Sequence, residues 1–202
     1  GKKTGENTWY DEEGMLLQVM HFKDDLLDGE LKAWYPDGSI HLEQRYKEGK
    51  PIGKHTDYYP ASASSSNRIC RAFSYDDQGQ LHGEEKSYYK GGQLQSLVSY
   101  QHGQLHGAKQ LWDEKGVLVE EAFYSQGKLE GRYFQRQADA REVVFHYHES
   151  LKQGLHEIYY PPTDKGEKRK AFQAYFDKDR LEGIAVEYHQ NGHKIAETPY
   201  VA

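Results

Sequence analysis

The sequence predicts an all-β repeat protein. The expected fold is an elongated, curved, single antiparallel sheet of about eight tandem β-hairpins in one domain spanning 1–202. Three observations predict it. Opening glycines recur at Gly5, Gly29, Gly53, Gly83, Gly107, Gly131, Gly154 and Gly183, separated by 24, 24, 30, 24, 24, 23 and 29 residues. Five residues after them stand Tyr10, Trp34, Tyr58, Tyr88, Trp112, Arg136, Tyr159 and Tyr188. Seven aromatics in eight slots is far from chance in a chain that is 13% aromatic. A second aromatic stands seven residues before the next opener, at Phe22, Tyr46, Tyr100, Tyr124, Tyr147 and Phe176, with Tyr75 eight before.

The clearest copy runs from Gly83 to Gly107: opener, Tyr88–Tyr89, a turn at Gly91–Gly92, an apolar-rich run from Leu94 to Tyr100, and a second turn at Gln101–Gln104. The other copies follow the same plan. In the second, Leu31–Tyr35 and Ile40–Tyr46 are strands joined by Pro36–Asp37–Gly38. Proline presets φ for a type I turn and glycine takes the left-handed position of a three-residue hairpin loop. That loop pairs Trp34 with Ile40, and Ile40, Leu42 and Tyr46 are expected to share the face of Trp34. Glu13–Gly14, Lys115–Gly116 and Asn191–Gly192 fill the same turn slot.

The second turn joins one hairpin to the next. Glu48–Gly49, His102–Gly103 and Gln126–Gly127 read as two-residue loops. They are expected to set Tyr100 opposite Leu105 and Tyr124 opposite Leu129, on the aromatic face. Leu105 and Trp112 are an odd number of residues apart, so Gly107 is expected to absorb one residue of phase as a bulge. Eight hairpins give roughly sixteen strands and an array on the order of 75 Å long. The aromatic series Tyr10, Trp34, Tyr58, Tyr88, Trp112, Tyr159 and Tyr188 is the expected structural core. Two copies enlarge the first turn, with Pro60–Arg68 and Pro161–Lys170. Each insertion reads either as tolerated loop growth or as a grip on a partner.

The bulk properties narrow the function. Net charge is −6 with both signs interspersed, which weighs against nucleic acid and against generic attraction to anionic lipid. Cys70 is alone, so no intrachain disulfide forms and the residue reads as an inert thiol. No apolar run is long enough for a membrane-spanning helix. The sequence holds no Gly-x-Ser-x-Gly elbow, phosphate loop or His-Glu-x-x-His, and a one-layer sheet offers no deep pocket. The expectation is therefore a protein that is not an enzyme and uses no cofactor and no metal. His146 and His148 share a strand face beside Glu149 and have zinc-ligand chemistry, but His82 and His106 occupy matching Leu-His-Gly slots, which suggests a repeat position that tolerates polar residues.

The residue after the first aromatic draws more interest. Tyr35, Tyr59, Tyr89 and Tyr160 hold that slot, while Asp11, Asp113, Gln137 and His189 hold it elsewhere. Such tyrosines serve either cross-strand support or partner contact. With the insertions they give the candidate partner-binding set Tyr35, Tyr59, Ser64, Tyr89, Tyr160 and Lys165.

The pattern Tyr-x-x-Gly-x-Leu-x-Gly in Tyr100–Gly107 and Tyr124–Gly131, followed by Tyr-Tyr-x-x-Gly in Tyr88–Gly92, resembles the bacterial variant of the MORN repeat. Tyr46–Gly53 is looser, with Pro51 in the leucine slot, and Arg136 and the two insertions depart from the pattern. The resemblance implies an antiparallel hairpin array. It also implies antitoxin or immunity proteins that bind a cognate toxic effector, such as a secretion-system lipase, in the bacterial periplasm or cytoplasm. Scaffolds and peripheral membrane adaptors are the other context it implies.

Overall fold

Each copy folds as a hairpin because its turn chemistry is local and its strands alternate. The structure is a computed structural model that describes residues 1–61 and 68–201. Ser64 and most of the first insertion lie outside the described residues. The chain divides into two compact units, Gly1–Gln104 with Glu114–Gly116, and Leu105–Asp113 with the residues from Val117 onward.

The first unit holds β1 (Gly5–Tyr10), β2 (Leu16–Lys23), β3 (Leu26–Trp34), β4 (Ile40–Lys47), β5 (Lys50–Pro51), β6 (Gly53–Tyr58), β7 (Ile69–Tyr75), β8 (Gly83–Tyr88) and β9 (Leu94–Gln101). The second holds β10 (Gln104–Trp112), β11 (Leu118–Ser125), β12 (Lys128–Leu129), β13 (Gly131–Arg136), β14 (Glu142–His148), β15 (Leu151–Lys152), β16 (Gly154–Tyr159), β17 (Lys170–Asp177), β18 (Arg180–Tyr188) and β19 (Lys194–Tyr200). The two-residue strands β5, β12 and β15 lead directly into β6, β13 and β16, which leaves eight hairpins. In each unit the strands pair antiparallel with their sequence neighbours, without crossovers.

Both turn types form as the residues dictate. Tyr35 N–H donates to Ser39 O at 2.8 Å and Gly38 N–H to Tyr35 O at 2.9 Å, closing the three-residue loop, and Trp34 pairs with Ile40. The second turns have positive φ at both central residues: 50° and 79° at Glu48–Gly49, 49° and 81° at Gln126–Gly127. This is the type I′ geometry that matches strand twist. It sets Tyr124 opposite Leu129, as the sequence predicts. The second residue of each turn then donates to the leucine-slot carbonyl one repeat earlier, Gly49 to Leu27 O and Gly127 to Leu105 O, both at 2.8 Å.

Two expectations need correction. The register resets by two residues at the opener, not by one. Tyr124 faces Leu129, yet Glu121 faces Phe134, and Tyr147 faces Lys152 while Val144 faces Glu157. An inserted pair preserves pleat parity, so the strand leaves the bulge with its faces unexchanged. The two aromatic series therefore lie on opposite faces. Tyr46 packs on His55, ring centroids 5.6 Å apart, whereas Tyr58 donates to Glu43 at 2.8 Å on the side of neighbouring Thr56. Trp34 cannot share a face with both Ile40 and Leu42, because a bulge separates its pair from Ala33–Leu42.

Burial follows from this arrangement. Tyr10 is 58% exposed, and Trp34, Tyr58, Tyr88, Trp112, Tyr159 and Tyr188 are half-buried. The buried positions belong instead to Leu31, Ala33, Phe73, Ala122, Phe134, Val143, Val144, Ala174, Ala185 and Val186. Two histidines are the largest fully buried side chains: His55 at 2% exposure and His156 at 1%. Both stand two residues after an opener. His55 Nε2–H donates to Arg45 O at 3.0 Å, a bulge carbonyl that also accepts Ile52 N–H. His156 is stacked between Phe145 and Phe176, with centroids 4.4 and 4.3 Å away.

Burial pushes the pKa of both histidines below the usual value, against smaller opposing contributions from the carbonyl bonds. The native rings stay neutral where an unfolded histidine, titrating near 6.5, takes a proton. This contribution to stability is complete above that pH and declines as pH falls through it toward the lower native pKa. Urea unfolding at pH 7.5 and 5.5 tests this. The wild type should lose stability on acidification, and His156→Leu, though less stable overall, should lose less. An unchanged pH dependence in His156→Leu would contradict the assignment.

Candidate binding surface

The first-turn edge of each unit is where the chain departs from its own repeat, and there the side chains are held by bonds between hairpins. Tyr35 Oη–H donates to Tyr58 O at 2.7 Å, Tyr59 to Tyr88 O at 2.7 Å and Tyr160 to Tyr188 O at 2.8 Å. Three of the four tyrosines singled out from the sequence thus tie one hairpin to the first-aromatic carbonyl of the next. Their rings are half-buried and their hydroxyls are spent within the molecule. Tyr89 is half-buried in the same slot, and its N–H donates to Gln93 O at 2.9 Å.

The insertions replace the short turn without disturbing its closure. Tyr59 N–H donates to Arg68 O at 2.8 Å and Tyr160 N–H to Arg169 O at 2.9 Å, the bond that Tyr35 makes to Ser39. Each insertion therefore carries an arginine in the same slot, and both arginines reach the next hairpin's turn. Arg68 Nη1 donates to Gly91 O at 2.7 Å, and Arg169 Nη1 to Gln190 O at 3.4 Å.

The second insertion is anchored further by ion pairs. Arg136, in the one non-aromatic slot, binds Glu142 at 2.7 Å, and Lys168 binds the other carboxylate oxygen at 2.6 Å. Glu142 is 3% exposed. Burial alone would raise its pKa, but the bonds to Lys168 and Arg136 together hold it below the ordinary carboxylate range. The Lys168 ammonium also lies 5.8 Å from the Tyr159 ring centroid. Lys170 binds Glu157 at 2.5 Å. A turn at the tip is closed by Gly166 N–H to Thr163 O at 2.7 Å, and it leaves Lys165 exposed. Between the insertion and the last hairpin turn lies an open recess of about 630 Å³, lined by Lys168, Arg169, Lys170, Tyr188, Gln190, Asn191 and Gly192.

Four stretches of the chain match the MORN repeat variant. They are residues 3–24, 27–48, 81–102 and 181–202. Each match starts two residues before an opener. Of the four copies outside the matches, two carry the insertions and one carries Arg136. No curated protein matches the chain. The four matched hairpins are similar to a repeat that serves as a binding scaffold, and no helix among the described residues is long and apolar enough to cross a membrane.

The other residues singled out from the sequence fall apart as sites. His146 Nδ1–H donates to Leu155 O at 2.9 Å, and His148 pairs with Glu130 at 2.9 Å, so the two do not converge. Cys70 is half-buried and burial raises its pKa, away from nucleophilic use. The anchoring triad of Arg136, Glu142 and Lys168 escaped sequence reading, although Arg136 in an aromatic slot was its visible sign. Removing one cross-hairpin bond should be measurable: Tyr160→Phe is expected to lower stability in urea by about 1 kcal/mol, because the Tyr188 carbonyl loses its donor. Unchanged stability would remove the role given to the hydroxyl.

Proposed function

We propose that this protein is a non-catalytic recognition protein that neutralises a bacterial toxic effector by direct binding. The supporting observation is the second insertion, a loop fixed by its arginine, its two lysines and a buried carboxylate while its tip stays exposed. Such pre-ordering lowers the entropy that a loop loses on binding. The repeat scaffold and the resemblance to the antitoxin type of MORN variant support the same reading. The proposed partner is the cognate effector, with a secretion-system lipase or phospholipase as the specific class and the periplasm as the site of action. Binding would cover the effector's active region, with Lys165 and the recess on the first-turn edge making contact. A plain scaffold or membrane adaptor is the competing reading, and the net charge of −6 weighs against its membrane form.

The test is a complex with the product of a neighbouring toxin gene. A nanomolar complex in which the toxin loses activity is expected. Lys165→Glu and deletion of residues 62–66 should weaken it without lowering the melting temperature, whereas Tyr160→Phe should lower stability and leave affinity unchanged. No complex, together with flotation of the isolated protein on vesicles, would establish the adaptor instead.

A further inference from the structure

Among the described residues, five of the six second turns with positive φ at both central residues share one capping bond. The residue just before an opener offers a side-chain acceptor to the first N–H of the type I′ turn one repeat later. Thr4 Oγ1 takes Asp24 N–H at 3.3 Å, Asp28 takes Glu48 N–H at 3.1 Å, and His106 Nδ1 takes Gln126 N–H at 3.4 Å. Glu130 takes Glu149 N–H at 3.0 Å and Gln153 takes Lys178 N–H at 3.3 Å. These N–H groups belong to residues held at positive φ, and the acceptor caps a turn that has no other use for them. A polar residue before the opener caps each of these five turns.

At His82 the slot does something else. Its ring turns toward His102, the first residue of the turn one repeat later, with centroids 5.1 Å apart. Asp76 stands beside both. It enters the wider turn that follows Tyr75, where its Oδ1 accepts Gln78 N–H at 3.0 Å and Gln80 N–H at 2.9 Å. That leaves Oδ2 facing His102 Nδ1 at 2.9 Å. One ligand atom from each of Asp76, His82 and His102 lies within 4.8 Å of the others. The three backbones are fixed independently: His82 N–H bonds Ser74 O at 2.9 Å, Gly103 N–H bonds Leu81 O at 2.8 Å, and Asp76 N–H bonds Gln80 O at 2.8 Å.

We propose that Asp76, His82 and His102 form a site for a zinc-class divalent metal ion. Two imidazole nitrogens and one carboxylate oxygen suit zinc and its neighbours, while calcium and magnesium prefer all-oxygen sets. Tetrahedral bonds of about 2.0–2.1 Å separate ligand atoms by roughly 3.4 Å, which the present spacings reach by rotation of the two exposed histidine side chains. The ion would bridge the turn after β7 to the turn after β9 and keep one position open for water or for a donor from a bound partner. Sequence alone pairs His82 with His106. The structure pairs it with His102, because the turn after Tyr75 is one residue longer and brings Asp76 alongside.

The test uses tag-free, chelator-treated protein titrated with zinc by calorimetry and with cobalt(II) by visible absorption. One equivalent of zinc should bind, with tetrahedral cobalt bands and a rise in melting temperature that magnesium and calcium do not give. His82→Ala and His102→Ala should each weaken binding roughly tenfold or more. Asp76→Asn retains the Oδ1 caps, so it should weaken binding without unfolding the turn. His106→Ala should bind as the wild type does. Absence of zinc binding, or binding that persists in the His82→Ala/His102→Ala double variant, would overturn the site.

Discussion

Each hairpin depends on one contact: an opening glycine set directly across the ladder from the second aromatic of its own copy. All eight copies make it. Gly5 faces Phe22, Gly29 faces Tyr46, Gly53 faces Tyr75, Gly83 faces Tyr100, Gly107 faces Tyr124, Gly131 faces Tyr147, Gly154 faces Phe176 and Gly183 faces Tyr200. The glycine, at positive φ in every copy, lets the strand bulge by two residues. The register reset, the type I′ turns stacked one repeat apart and the division of aromatics between two faces all follow.

Because the repeat geometry is met by backbone and turn chemistry, copies are free to change at slots that face outward. The departures are concentrated there. Arg136 replaces an aromatic, yet it neutralises the buried Glu142 together with Lys168 and so fastens the second insertion. Copy three gains one residue in its second turn and brings Asp76 to His102. The tyrosines after the first aromatic close the hairpins against each other. The conserved plan holds the sheet, and the departures from it build the recognisable chemistry.

Hairpin number, both turn types and the pairing of Trp34 with Ile40 were legible in the sequence, since glycine, proline and aspartate fix turns through their own φ and side-chain bonds. Face assignment was not. It required knowing that the opener's bulge adds two residues, which keeps parity, and that the first turn adds one, which breaks it; spacing alone does not separate these. The Tyr35, Tyr59 and Tyr160 hydroxyl bonds reach main-chain carbonyls 23 to 29 residues away, and a carbonyl leaves no mark in a sequence. Glu142 and Lys168 likewise meet only after the hairpins are in register. Of the two roles that the sequence leaves open for these tyrosines, cross-strand support is the one that the three hydroxyl bonds fill.

The account is tested most directly at Gly131, where φ is 77° and no heavy atom would lie within 4 Å of an added Cβ. Space is free there, so substitution isolates the backbone requirement. Gly29 differs, since a Cβ would come 2.9 Å from the Cβ of His21. The measurement is urea unfolding of Gly131→Ala beside a semisynthetic protein with D-alanine at that position. Alanine should cost about 1–2 kcal/mol and D-alanine should restore most of it, because the left-handed region is unfavourable only for the L form. Equal stability of the L-alanine variant and the wild type would contradict the claim that an opener at positive φ sets the register of each repeat.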